Sequence, residues 1–171
     1  MNPRALGYWA ALLVAALVCA FGGWSYAQAR SDDTLAYAKS RDAALAQGTQ
    51  RVARLNSLDG TNADTVGEGL DAWLGASSGP LHDRLKRTRS KDASELTKAG
   101  TTARGKVTDA ALTALDERTG SARLIATVDV EVTPRTGKAG TERKRFEATL
   151  ARTGDGWKVR VLTAIPIGGG A

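Results

Sequence analysis

Few residues in this chain have the type and spacing for acid–base chemistry. His82 is the sole histidine, and Asp83 follows it directly. Neighbours on a helix point about 100° apart, so the two form no ready dyad. Asp109 is the one carboxylate whose strand face is ambiguous, because the alternation slips beside it at Ala110-Ala111. A catalytic carboxylate or histidine needs desolvation and a second donor, usually a tyrosine or another acid. Tyr8, Tyr26 and Tyr37 all lie before the region where a domain begins, and the sole cysteine, Cys19, sits in an apolar run. Clustered ligands for a metal, glycine-rich phosphate loops and a Gly-x-Ser-x-Gly elbow are absent from the sequence. The expectation is no catalytic, metal-binding or cofactor-binding residue, no cofactor, and no enzyme.

Charge offers a different kind of site. Arg84, Lys86, Arg87, Arg89 and Lys91 fall within eight positions, the densest cluster in the chain, and are the candidate interaction residues. Lys and Arg number 24 against 18 Asp and Glu. Such a basic surface suits anionic lipid headgroups or an acidic partner; a solvated face with no specific partner is the plain alternative, and no nucleic acid is expected.

Positioning starts at the N-terminus. Ala5 to Ala29 contains no charge, and about 20 apolar residues suffice to cross a bilayer core. Tyr8, Trp9, Trp24 and Tyr26 cluster at its ends, at headgroup level. Arg4 on the short side favours a cytoplasmic N-terminus. The reading is a single-pass plasma-membrane protein: stub 1–4, anchor 5–29, helical stalk 30–57, exported domain 58–167 on the extracellular side, and disordered tail 168–171. Ala27-Gln28-Ala29 also fits a signal-peptide cleavage site, the competing reading. Cys19 is expected to be a buried thiol.

Beyond the span, Ser31 or Asp32 caps a helix running to about Ser57. Leu35, Ala38, Leu45, Val52 and Leu55 form its apolar stripe, and Asp32, Arg41, Arg51 and Arg54 occupy the other faces. Asp59 to Asn62 makes a turn and a cap. A second helix carries Val66, Leu70, Trp73 and Leu74, and a third begins at Pro80 with Leu81 and Leu85 on its apolar side. Period 2 then replaces period 3.6. Four strands are expected. Val107 to Leu115 has a bulge at Ala110-Ala111. Ser121 to Thr133 points Ala122, Leu124, Ala126, Val128, Val130 and Val132 inward. Arg143 to Arg152 points Phe146, Ala148 and Leu150 inward. The last strand, with Trp157, Val159 and Val161 inward, ends near Pro166. Three helices followed by a meander give an α+β domain with helices on one face of a curved four-stranded antiparallel sheet.

The stretches LNSLDGTNADTVGEGLDAWLGASSGPLHDRL, GKVTDAALTALDERTGSARLIATVDVEVT and GDGWKVRVL resemble the Mce-associated membrane proteins of actinobacteria. Trp73, Gly79, Leu81, Val107, Trp157 and Val159 are among the residues that carry the resemblance. It implies the cone-shaped fold of the nuclear transport factor two superfamily, also described as SnoaL-like. It implies too an accessory subunit of an Mce-type lipid and sterol transport system, with Mce transporter subunits or a second copy of itself as partners. Two other interaction readings stand beside it: an assembly component of a type IV secretion or conjugation complex, and a lipid-binding module using the apolar cone. An enzyme of the same fold is the least favoured.

Overall fold

Buried side chains recur at every second position in the last third of the chain, and they settle the layering. The computed structural model describes residues 14–26 and 33–166. The stub, both ends of the expected anchor, the caps Ser31 and Asp32, and the tail lie outside the described residues.

The chain divides into two units, Met1–Lys39 and Ser40–Ala171. In the first, helix α1 (residues 14–26) exposes every side chain, including Val14, Leu17, Val18 and Phe21. Cys19, expected to be buried, is exposed on this helix. Every described side chain of α1 is exposed, and the burial expected for Cys19 presupposed a surrounding bilayer. Among the described residues no helix is long and apolar enough to cross a membrane.

Helix α2 (Asp33–Leu55) runs into the second unit, followed by α3 (Ala63–Ala76) and α4 (Gly79–Ala99). Strands β1 (Thr102–Asp116), β2 (Ser121–Thr133), β3 (Gly140–Thr153) and β4 (Gly156–Ile165) form an antiparallel sheet in the order β1-β2-β3-β4. The α+β arrangement of helices and a four-stranded antiparallel sheet agrees with the sequence reading.

In α2 the buried positions are Ala44, Gly48 and Val52, four residues apart, rather than the whole expected stripe. Leu35 is 44% exposed. Gly48 matters because a Cβ there would lie 2.6 Å from Leu150 Cδ1, so the missing side chain lets the helix seat on the sheet. Arg51, expected on an outer face, is half-buried; at about 100° per residue it borders the arc of Ala44, Gly48 and Leu55. Asn62 caps α3: its Oδ1 accepts the N–H groups of Asp64 at 2.9 Å and Thr65 at 3.0 Å, completing a capping box.

The main core joins Ala44 and Val52 of α2 to Leu124, Val128, Ala148, Leu150, Trp157 and Val159 of the sheet. A smaller cluster of Leu58, Val66 and Leu70 lies beside Trp73, Ala93 and Leu96. Trp73 donates Nε1–H to the Ser57 carbonyl at 2.8 Å, tying α3 to the end of α2.

Three strand details differ from the expectation. β1 starts at Thr102, five residues before Val107, because its pairing with β2 runs on through Gly105–Val130 to Thr102–Thr133. Its slip at Ala110-Ala111 resolves into two bulges, at Thr108 and Thr113, flanking a regular stretch. Each bulged threonine hydroxyl lies 3.4 Å from a β2 carbonyl, of Thr127 and Arg123 respectively. In β4 a bulge at Arg160, between the pairs Leu150–Val159 and Thr149–Val161, reverses the parity. Val161 therefore points out and is 43% exposed, and Leu162 packs on the core instead.

Candidate functional site

The basic cluster sits on α4, whose start is set by backbone geometry. Gly79 adopts φ +51°, and Pro80 follows in the first turn. The N–H of Ser78 donates to the Val159 carbonyl at 2.8 Å, which docks this corner on β4. Gly100 ends the helix at φ +61°.

Helical periodicity divides the five basic residues. Arg84, Arg87 and Lys91 lie within about 60° of arc, at i, i+3 and i+7, and form one exposed ridge. Lys91 stands 3.8 Å from Glu95 on the same helix. Lys86 is exposed on a different side. Arg89 turns the other way and pairs with Asp71 of α3 at 2.8 Å, clamping the two helices together. The structure thus places three of the five on a common face, a fourth apart, and the fifth in a helix–helix contact.

His82 is half-buried, and its Nδ1 lies 3.1 Å from the Leu74 carbonyl. That same carbonyl accepts the Ser77 N–H at 3.2 Å and the Ser77 hydroxyl at 3.1 Å. His82 thereby closes the C-terminus of α3, and Asp83 beside it is exposed. The geometry is that of a helix stop.

Asp109 lies on the outer face of the sheet. The register sets Asp109, Thr127, Arg145 and Ile165 in one row across all four strands. A groove of about 410 Å³ opens along this row, and its lining includes the apolar Ile125 and Ile165 and the charged Asp109 and Arg145. Residues Ala111 and Ile125 continue the next row. Sequence reasoning did not find this groove, since the bulge at Thr108 was needed to turn Asp109 and Ala111 to the outer face. Ile125, the apolar exception in an alternating strand, was the signal available.

Elsewhere on that face the charges answer one another. Arg143 donates Nε–H to Asp129 Oδ1 at 2.8 Å and a terminal N–H to Oδ2 at 3.1 Å. These bonds hold the Asp129 carboxyl below the usual carboxylate range and push the Arg143 guanidinium up. Arg123 pairs with Glu147 at 3.1 Å. A second groove, of about 310 Å³, lies where α2, α3 and β1 meet, between Arg54, Asp59, Glu68 and Arg104. Asp59 Oδ1 accepts the Thr61 N–H at 3.0 Å and the Thr102 hydroxyl at 3.1 Å, and its pKa is lowered, chiefly by the Thr61 bond. Among the described residues no three His, Cys, Asp or Glu side chains come together as metal ligands.

Of the residues that carry the sequence resemblance, Trp157 and Val159 are buried in the main core, with Leu81 and Val107 packed against it. Trp73 belongs to the smaller cluster.

Three solved structures share this fold. CagV, a VirB8 homolog of T4SS from Helicobacter pylori strain 26695, superposes with a TM-score of 0.56 at 10% identity over 74% of this chain and 99% of its own. A periplasmic fragment of TraM gives 0.55 at 15% identity over 72% and 95%. The periplasmic domain of DotI gives 0.56 at 11% identity over 71% and 92%. At such identities the likeness is one of fold alone. No protein-family model matches the chain, and no curated protein matches it.

Proposed function

We propose that the chain is a non-catalytic, membrane-anchored assembly component of a secretion- or conjugation-type envelope complex, its α+β domain on the outer side of the plasma membrane. The observation that carries this reading is the extent of the likeness: nearly all of the CagV, TraM and DotI chains align, over 71–74% of this chain. CagV is a VirB8 homolog of T4SS, and the other two structures are periplasmic pieces. The chemistry of the described surface agrees. His82 stops a helix, Asp109 is exposed, and Asp129 and Glu147 of the sheet pair with Arg143 and Arg123.

The anchor over 5–29 is part of the proposal, with 1–4 cytoplasmic, 30–57 a helical connection and 58–167 the exported domain. Its support is the uncharged stretch itself and the exposed Val14, Leu17, Val18 and Phe21 on α1. An apolar helix exposed all round is at rest in lipid, not in water. Docking falls to the ridge of Arg84, Arg87 and Lys91, which suits an acidic partner surface or anionic headgroups.

Association with an Mce-type lipid transport system is the second reading. It rests on the sequence resemblance alone, since none of the three similar structures is of that type. A lipid-binding role for the cone is weaker, because the inward side chains of the sheet pack into the main hydrophobic core with α2. Affinity purification of the tagged full chain from its native membranes separates the readings. Secretion or conjugation subunits in the eluate support the proposal, and Mce subunits in their place replace it. Mass measurement of the mature N-terminus tests the anchor: loss of residues 1–29 would remove it.

A further inference from the structure

The meander leaves two edge strands, and the fold treats them differently. β1 is paired with Leu58 near its start and interrupted by bulges at Thr108 and Thr113. Bulges spoil the even spacing that a new strand needs, a common protection of sheet edges. β4 is covered only at its beginning, where Ser77 bridges to Val159. Past the bulged Arg160, the strand continues as Val161-Leu162-Thr163-Ala164-Ile165. This stretch has no charge, glycine or bulge. Among the described residues no bridge or backbone bond covers its side away from β3. Val161, Thr163 and Ala164 are exposed, although Ala164 lies opposite buried Phe146 on the helix-side parity.

We infer that this edge pairs antiparallel with the same edge of a second copy, about a two-fold axis through Thr163. The register is fixed from both ends. On one side Val159 is already taken by Ser77 and Ser78, and Arg160 is bulged. On the other, Pro166 has no N–H to donate. Centring on Thr163 uses all five open residues. It sets Val161 of one copy opposite Ile165 of the other, Leu162 opposite Ala164, and Thr163 opposite Thr163. Each pairing joins β-branched or apolar side chains on one face, the kind that stabilises antiparallel neighbours, and no like charges meet. Antiparallel pairing of identical edges is isologous, so it closes at two copies and removes the open edge from both. Five residues make a small contact beside the roughly 20–30 residues a side of a standard interface, so the dimer is weak and concentration-dependent. The inference goes beyond the proposed function and holds whichever envelope complex the chain serves.

Cross-linking tests it in the full chain in neutral detergent, with Cys19→Ala as background. Across the axis, Thr163→Cys brings two thiols onto Cα atoms about 4.5–5.5 Å apart, within disulfide reach. Val161→Cys puts its two thiols about 14 Å apart along the strands, out of reach. Mild oxidation should link Thr163→Cys at least about tenfold faster than Val161→Cys. Thr163→Lys, which sets two cations opposite each other on the exposed face, should shift sedimentation to the monomer while leaving circular dichroism and melting unchanged. Equal linking of the two cysteine variants, no linking of either, or unaltered sedimentation of Thr163→Lys would overturn the inference.

Discussion

The side-chain oxygen of Gln47 accepts the backbone N–H of Trp157 at 2.7 Å, joining α2 to β4 across 110 positions of sequence. The bond stands midway along the buried face of α2, beside Gly48, and at the tight turn that starts β4. The same oxygen occupies the space that a Cβ on Gly156 would need, and Gly156 itself has φ +93°. One residue is thus required to be glycine by its own torsion and by a residue on a distant helix.

Gly156→Ala should therefore lower stability by about 1–3 kcal/mol, the usual cost of forcing a side chain into that region. Gln47→Ala, which strips the Trp157 N–H of its acceptor, should cost about 1–3 kcal/mol. Because the two changes touch one contact, their double variant should lose less than the sum. Urea denaturation of the three variants measures it, and strict additivity would show that the contact is not shared.

Inward and outward neighbours in β2 should separate cleanly. Leu124 is fully buried and Ile125 is 40% exposed. Leu124→Ala should cost about 2–5 kcal/mol through lost burial and the cavity left behind. Ile125→Ala should cost under about 1 kcal/mol. Comparable losses at both positions in chemical denaturation would mean the outer face is covered in solution.

Acid should destabilise the domain through specific aspartates. Asp59, Asp116 and Asp129 each have a depressed pKa, from the Thr61 bond, the Thr119 bond and the Arg143 pair respectively. Since the folded pKa lies below the unfolded one, the contribution is present in full above about pH 4 and is lost as pH falls through the folded value. Thermal melts from pH 6 to pH 2 should show the decline, and Asp129→Asn should flatten part of it. A melting temperature equally steep in that variant would remove Asp129 from the account.

The basic residues of α4 should part into two classes. Arg89→Ala breaks the pair with Asp71 and should cost at most about 1 kcal/mol, as exposed ion pairs do. Arg84→Glu with Arg87→Glu should leave melting within a degree or two while abolishing recovery of membrane partners. Retained partners with the charge-reversed ridge would take the docking role away from α4.

The sequence by itself determined the layers. Periodicity in Ala122 to Val130 and in Phe146, Ala148 and Leu150 names the buried face, because a strand side chain has only two directions to point. The capping chemistry of Asn62, and Pro80 beside Gly79, placed the starts of α3 and α4. Tertiary structure alone decided where that alternation breaks. The extra residues at Thr108, Thr113 and Arg160 are visible only against the partner strand, and each reverses the parity of the residues after it. That is why Val161 changed faces and why Asp109 and Arg145 came to line one groove. It is also why Arg89 left the cationic ridge. Composition counts charges, but the position of Asp71 on the neighbouring helix chooses which of them is spent on packing. Local pattern fixes direction within an element, and only pairing between elements fixes register.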